Sequence, residues 1–183
     1  MERKDWFPSI QDEGLNTELN SVLFYSKWLI LQLEEAKEIE ELLLLVKKDI
    51  IIHLGAIIEG ILFYIAQEYM RNNKLTLEKS QNQEKQIHTI SESEYIAFVQ
   101  KKMKNIKLKD ADFNTLIRAF HDQWIIQDNL CDDLHAIRDF RNGIHLSKKI
   151  LQDELFRSID IHKEYMPLFN SILGDLKKLM KNG

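Results

Sequence analysis

From residue 9 to residue 166 the chain contains no proline; its two prolines are Pro8 and Pro167, and glycine occurs six times in 183 residues. Sandwiches and barrels reverse direction about every ten residues, and Gly and Pro are the residues that make those reversals. Their scarcity argues against an all-β fold. It also removes the Gly-rich phosphate loops, since neither GxGxxG nor GxxxxGK[ST] occurs. With 44% apolar and 30% charged residues, the chain reads as one helical domain over 1–183, long enough to bury a real core.

Apolar residues at Leu19, Val22, Leu23, Leu29, Ile30 and Leu33 recur at helical spacing, and Asn16 or Thr17 is the expected cap. After the charged EEAKEIEE comes LLLLVKKDIIIHLGAIIEGILFYIAQEYM, a second long helix that is apolar on most of its circumference. A helix of that kind is central, covered by several neighbours. Its core, Ile50 to Ala66, is at the short limit for a membrane span and carries His53, Gly55, Glu59 and Gly60, so a buried bundle helix is expected and no membrane partner. Residues 72–93 are polar and weakly periodic, which predicts a long loop or mobile insertion. Ser91 or Ser93 is then expected to cap a helix over EYIAFVQKKMK, and residues 111–146 to form one long or two consecutive helices. The last element, from about Leu151 to Met180, is helical by period, with Pro167 starting a turn or kinking it. The expected fold is all-α, an antiparallel bundle of about five helices.

The net charge is -4, which excludes a uniformly basic nucleic-acid binder. The charge is uneven. Residues 71–109 hold nine Lys/Arg against four Glu, so the rest of the chain is strongly acidic. Lys101, Lys102, Lys104, Lys107 and Lys109 are candidates for an RNA-backbone footprint, against the plainer reading of a solvated face. The one cysteine, Cys131, has no partner for an internal disulfide, and no Cys/His set at zinc spacing exists, so no metal and no cofactor are expected. MERKDWFPSI has no apolar stretch behind its charges, which predicts a cytoplasmic location.

The stretch LHAIRDFRNGIHL, residues 134–146, concentrates the chemistry. On a continuous helix Arg138, Arg141, Asn142 and His145 share an arc of roughly 100°. Cations that face each other need a reason, and a shared anion is the simplest. A histidine with its pKa near neutrality can move protons, and arginine supplies fixed positive charge to phosphoryl oxygens.

RDFRNGIHL, near the end of an all-helical chain, resembles the signature of HEPN domains (higher eukaryotes and prokaryotes nucleotide-binding): an Arg, often followed by Asn, with four to six residues before a His. GAIIEGILFYIAQ, with its lone acidic Glu59, resembles the early core helix of that family. The resemblance implies a HEPN-like bundle, a homodimer bringing two motifs into one cleft, and, in active members, metal-independent RNA cleavage that leaves 2',3'-cyclic phosphate and 5'-hydroxyl ends. It implies roles in phage defence, toxin systems or RNA processing, with an antitoxin as one kind of protein partner. Arg138 has six residues before His145 and matches the spacing, whereas Arg141 has three and matches the Arg-Asn pair. The role is carried to both, with Arg141 favoured. The alternative is a non-catalytic HEPN-like module that binds nucleotide, RNA or a protein.

A competing reading makes Asn142-Gly143 a helix end, with Gly143 in the left-handed conformation and the two arginines complementing the helix dipole. Elsewhere, His121-Asp122 reads as a surface pair, Asp132-Asp133 as an acidic helix surface and His53 as a hydrogen-bonded core histidine. Glu59, if buried, needs a partner, either as an inter-helix anchor or as support for the basic cluster.

Overall fold

The computed structural model describes residues 5–91, 94–143, 154 and 156–182, with the backbone alone over most of 79–103. The protein is an all-α bundle, built from α1 (Glu13–Ala36), α2 (Glu40–Arg71), α3 (Phe113–Asp122), α4 (Asp128–Asn142) and α5 (Met166–Asn182). Helix α2 is the axis, packing against all four of the others. Ile50, Ile51, Leu54, Ile57, Ile58, Ile61 and Leu62 are fully buried along it. Length and composition alone would let α2 cross a membrane, with a mean hydropathy of 1.8 over its most apolar window, yet 56% of that window is buried inside the protein.

Helix α1 begins earlier than the Asn16 or Thr17 cap expected from sequence. Asp12 is the N-cap, its carboxylate accepting from the Leu15 N–H at 3.0 Å. Asn16 instead donates to the Phe7 carbonyl at 2.8 Å, pinning the entering chain. Before α5, Asp160 caps a wide π-type turn over Ile161–Tyr165. Pro167 follows as the second residue of α5, where its missing N–H costs little. The Tyr165 hydroxyl donates to the Ile51 carbonyl at 3.1 Å, tying this turn to the middle of α2. Burial holds the Tyr165 phenol far above its usual range, so it stays a neutral donor.

Two expectations fail between α2 and α3. The segment read as a loop contains β1 (Glu78–Ser91), and the segment read as a helix, 94–104, is β2 (Glu94–Asn105); the two pair antiparallel. Tyr95, Ile96, Phe98 and Val99 are aromatic or β-branched and suit a strand. A short apolar run does not settle its own period, and here the polar stretch before it supplies a pairing partner. Ser91 lies in β1 and caps no helix, and Ser93 lies outside the described residues.

Of the 111–146 stretch, the described part, 111–143, resolves into two helices. α3 opens on Asp112, whose carboxylate accepts from Thr115 N–H at 2.7 Å. It stops without Gly or Pro: Trp124 takes φ 59°, unusual for a bulky residue. The Gln123 side chain holds the break, donating to the carbonyls of Thr76 (2.7 Å) and Ala119 (3.0 Å).

Candidate anion-binding site at the end of helix α4

Leu130, Leu134 and Ile137 bury one face of α4, which turns Arg138, Arg141 and Asn142 toward a shared concavity. The concavity is open, about 340 Å3, and lined by Glu59, Asp112, Phe113, Asn114, Arg138, Arg141 and Asn142. Three elements contribute: the middle of α2, the start of α3 and the last turn of α4.

The arginines are held differently. Arg141 crosses to α2, where its Nη1 donates to Glu59 Oε2. Gly55, one turn before Glu59, lies beside its stem, where a Cβ would sit 3.4 Å from Arg141 Cδ, in van der Waals contact. Glu59, the lone acidic residue of the GAIIEGILFYIAQ segment, is therefore an inter-helix anchor. Arg138 donates to Asn114 on α3 and, through Nη2 at 2.6 Å and Nε at 3.0 Å, to Asp139 on its own helix. Both guanidinium groups remain partly exposed. His135, one turn before Arg138, has its pKa lowered by burial and then by the Arg138 charge, which favours a neutral imidazole.

Gly143 is not in the left-handed conformation. Its φ of -61° and ψ of -18° are right-handed helical, and its N–H donates to the Asp139 carbonyl at 2.9 Å. That removes the left-handed cap from the competing reading. His145 lies outside the described residues, so the site comprises Arg138, Arg141 and Asn142 with partners from α2 and α3.

Lys104, Lys107 and Lys109 are exposed, while Lys101 and Lys102 belong to β2, where the backbone is described. A short 3-10 turn at Leu108–Asp110 leads from this basic segment into Asp112, Phe113 and Asn114 on the concavity wall. Asn114 and Asp112 carried no sequence signal, because they join Arg138 on the concavity only through packing of α3 on α4.

The other candidates resolve as structural features. His121 Nε2 is 2.8 Å from Asp128 Oδ1, across the α3–α4 connection, with Asp122 further away at 3.8 Å. The Asp128 hydrogen bond, ahead of burial acting the other way, raises the His121 pKa. Cys131 is buried, and burial followed by the charges of Asp132, Asp128 and Asp122 pushes its thiol up, away from nucleophilic character. His53 is half-buried and edge-on to Tyr25, with ring centroids 5.0 Å apart. Among the described residues no three His, Cys, Asp or Glu side chains gather as a metal site.

Comparison of the chain with protein-family models, with curated proteins and with solved structures finds no match. The functional reading therefore rests on the geometry of the described site together with the sequence of its motif.

Proposed function

We propose that the protein is a metal-independent endoribonuclease of HEPN type, acting as a homodimer on RNA in the cytoplasm. The observation that carries the reading is the convergence of Arg138, Arg141 and Asn142 on one solvent-open concavity, with His145 following three residues after Asn142 in the sequence. Cleavage requires the 2'-hydroxyl to lose a proton as it attacks phosphorus and the 5'-oxygen to gain one as it leaves. His145 carries the proton transfers. Arg141, and secondarily Arg138, stabilises the charge on the phosphorane oxygens, while Asn142 orients the phosphate. The basic segment Lys101 to Lys109 guides the RNA backbone toward the wall formed by Asp112 and Asn114. The products are a 2',3'-cyclic phosphate and a 5'-hydroxyl, suited to phage defence, a toxin system or RNA processing.

The test is incubation of purified protein with labelled single-stranded and structured RNA in chelator, with the product ends identified. Cleavage that disappears in His145→Ala supports the reading; intact RNA, or equal cleavage by His145→Ala, overturns it.

One observation favours a second reading, a non-catalytic module that binds nucleotide, RNA or a protein such as an antitoxin. Each arginine is already paired with a carboxylate, Arg141 with Glu59 and Arg138 with Asp139, so the described site is close to charge-balanced. Thermal stabilisation by RNA or nucleotide without any product selects this reading.

A further inference from the structure

Helix α1 is apolar on two opposite faces. Leu19, Leu23, Leu29 and Leu33 face the core, as an inner face should. On the outer face Phe24, Trp28 and Leu31, spaced i, i+4, i+7, are 63%, 49% and 72% exposed. Tyr25 stacks on Trp28 at 5.8 Å between centroids and meets His53 of α2 edge-on, joining this stripe to the α2 surface. There Leu42 and Leu45 are also exposed. The central helix is itself incompletely covered, with 56% of its most apolar window buried. We propose that this α1–α2 face docks a second copy of the same chain, with the two α1 helices packed antiparallel across a two-fold axis near Trp28.

Area supports the assignment. Taking about 150–250 Å2 for a fully exposed aromatic side chain, and somewhat less for leucine, these six residues leave on the order of 600 Å2 uncovered. A standard interface takes about 800 Å2 from each partner, so the patch supplies most of one, and monomers seldom leave so large an apolar patch bare. The stripe is self-complementary: about an axis near Trp28, Phe24 of one copy lies opposite the Leu31 region of the other. Charge sets the direction. Glu34, Glu35, Glu38, Glu40 and Glu41 crowd one end of the stripe, and an antiparallel arrangement sends the two acidic ends to opposite sides of the interface. The same acidic end disfavours an anionic lipid surface. The inference rests on the homodimer of the proposed function, whose surface it names, and not on the ribonuclease chemistry.

Light scattering after size exclusion, on the full chain at tens of micromolar, is expected to give about twice 21.7 kDa. Trp28→Glu and Leu31→Asp are each expected to give a monomer with unchanged helical circular dichroism. A monomeric wild type overturns the proposal, as does a dimer that survives both substitutions. Loss of the helical signal in either variant also overturns it, because the face would then be holding the monomer together. Co-sedimentation of monomeric wild type with phosphatidylcholine vesicles would assign the face to a bilayer instead. A monomeric wild type would also remove the homodimer from the proposed function, whereas a dimer that survives both substitutions removes only this surface; RNA cleavage is read separately and keeps its own test.

Discussion

Arg141 reaches from the last turn of α4 to Glu59 in the middle of α2, its stem passing over Gly55. The pair does two jobs at once. It fastens α4 to the central helix, and it holds a guanidinium at the edge of the concavity with a carboxylate already on it. An incoming phosphate must compete with that carboxylate.

Glu59→Gln separates the two jobs. Both side chains are about one-third exposed, so solvent screens the pair and its loss is expected to cost about 1 kcal/mol. A chain of this size should then melt roughly 2–4 °C lower. RNA or inorganic phosphate should bind more tightly, because Arg141 no longer has a competing carboxylate. Thermal denaturation and a binding titration check both. Weaker anion binding by a folded Glu59→Gln would show that Glu59 is needed to aim Arg141.

The concavity explains which parts of the site the sequence could show. Arg138, Arg141 and Asn142 sit within five residues on one helix, so local period was enough to group them. Glu59 stands out as the lone acid of the apolar stretch GAIIEGILFYIAQ, but its partner is 82 residues away and only packing reveals it. Asn114 and Asp112 had no signal, being ordinary residues of a helix start. The same limit applies to the fold. Long helices with sustained period were legible, whereas the β1–β2 ribbon was not: it lacks Gly and Pro, and its strandedness depends on pairing between two stretches that are each ambiguous alone. His121 was paired by sequence with its neighbour Asp122, while its closer partner, Asp128, lies across a chain reversal.

Gly143→Ala tests how α4 ends. Gly143 has right-handed helical angles, which alanine adopts freely. An added Cβ would meet two carbonyls of the preceding turn at 3.2 Å, a tight contact, and Phe156 Cζ at 3.4 Å. The gain from a stiffer unfolded chain, about 0.4–1 kcal/mol, should roughly offset that crowding. The expected change in urea stability is under about 1 kcal/mol, with Arg138 and Arg141 function retained. A loss above about 2 kcal/mol would point to a conformation only glycine can hold.

The His121–Asp128 contact makes stability depend on pH with a definite sign. Asp128 raises the His121 pKa above the ordinary histidine value of 6.5, so the folded state binds the proton more tightly than the unfolded chain. The contribution is fully present below pH 6.5 and is lost as pH rises through the raised folded value. Urea midpoints measured from pH 5.5 to 8.5 should therefore show a component that falls on the alkaline side. Asp128→Asn should remove most of that component, leaving the smaller share that Asp122 contributes, and leave the rest of the profile unchanged. An unaltered profile in Asp128→Asn would mean that the contact does not persist in solution.

The two arginines should not be equivalent. Arg138 has its carboxylate, Asp139, on its own helix, a local tether that moves with it, and its bond to another helix, α3, is to the neutral amide of Asn114. Arg141 is tied to a carboxylate of a different helix, and that charge-assisted bond places its guanidinium more firmly relative to the concavity wall. Electrostatic stabilisation of a transition state depends on such fixed placement, and removing one well-placed donor typically costs about 100- to 1000-fold in rate. For a ribonuclease, Arg141→Ala is expected to lose about 100-fold or more in the single-turnover cleavage rate, while Arg138→Ala loses less than about tenfold. Arg141→Lys should recover little, because a single ammonium cannot meet Glu59 and a phosphate as a planar guanidinium does. The reverse ranking would make Arg138 the motif arginine and leave Arg141 as a helix anchor alone.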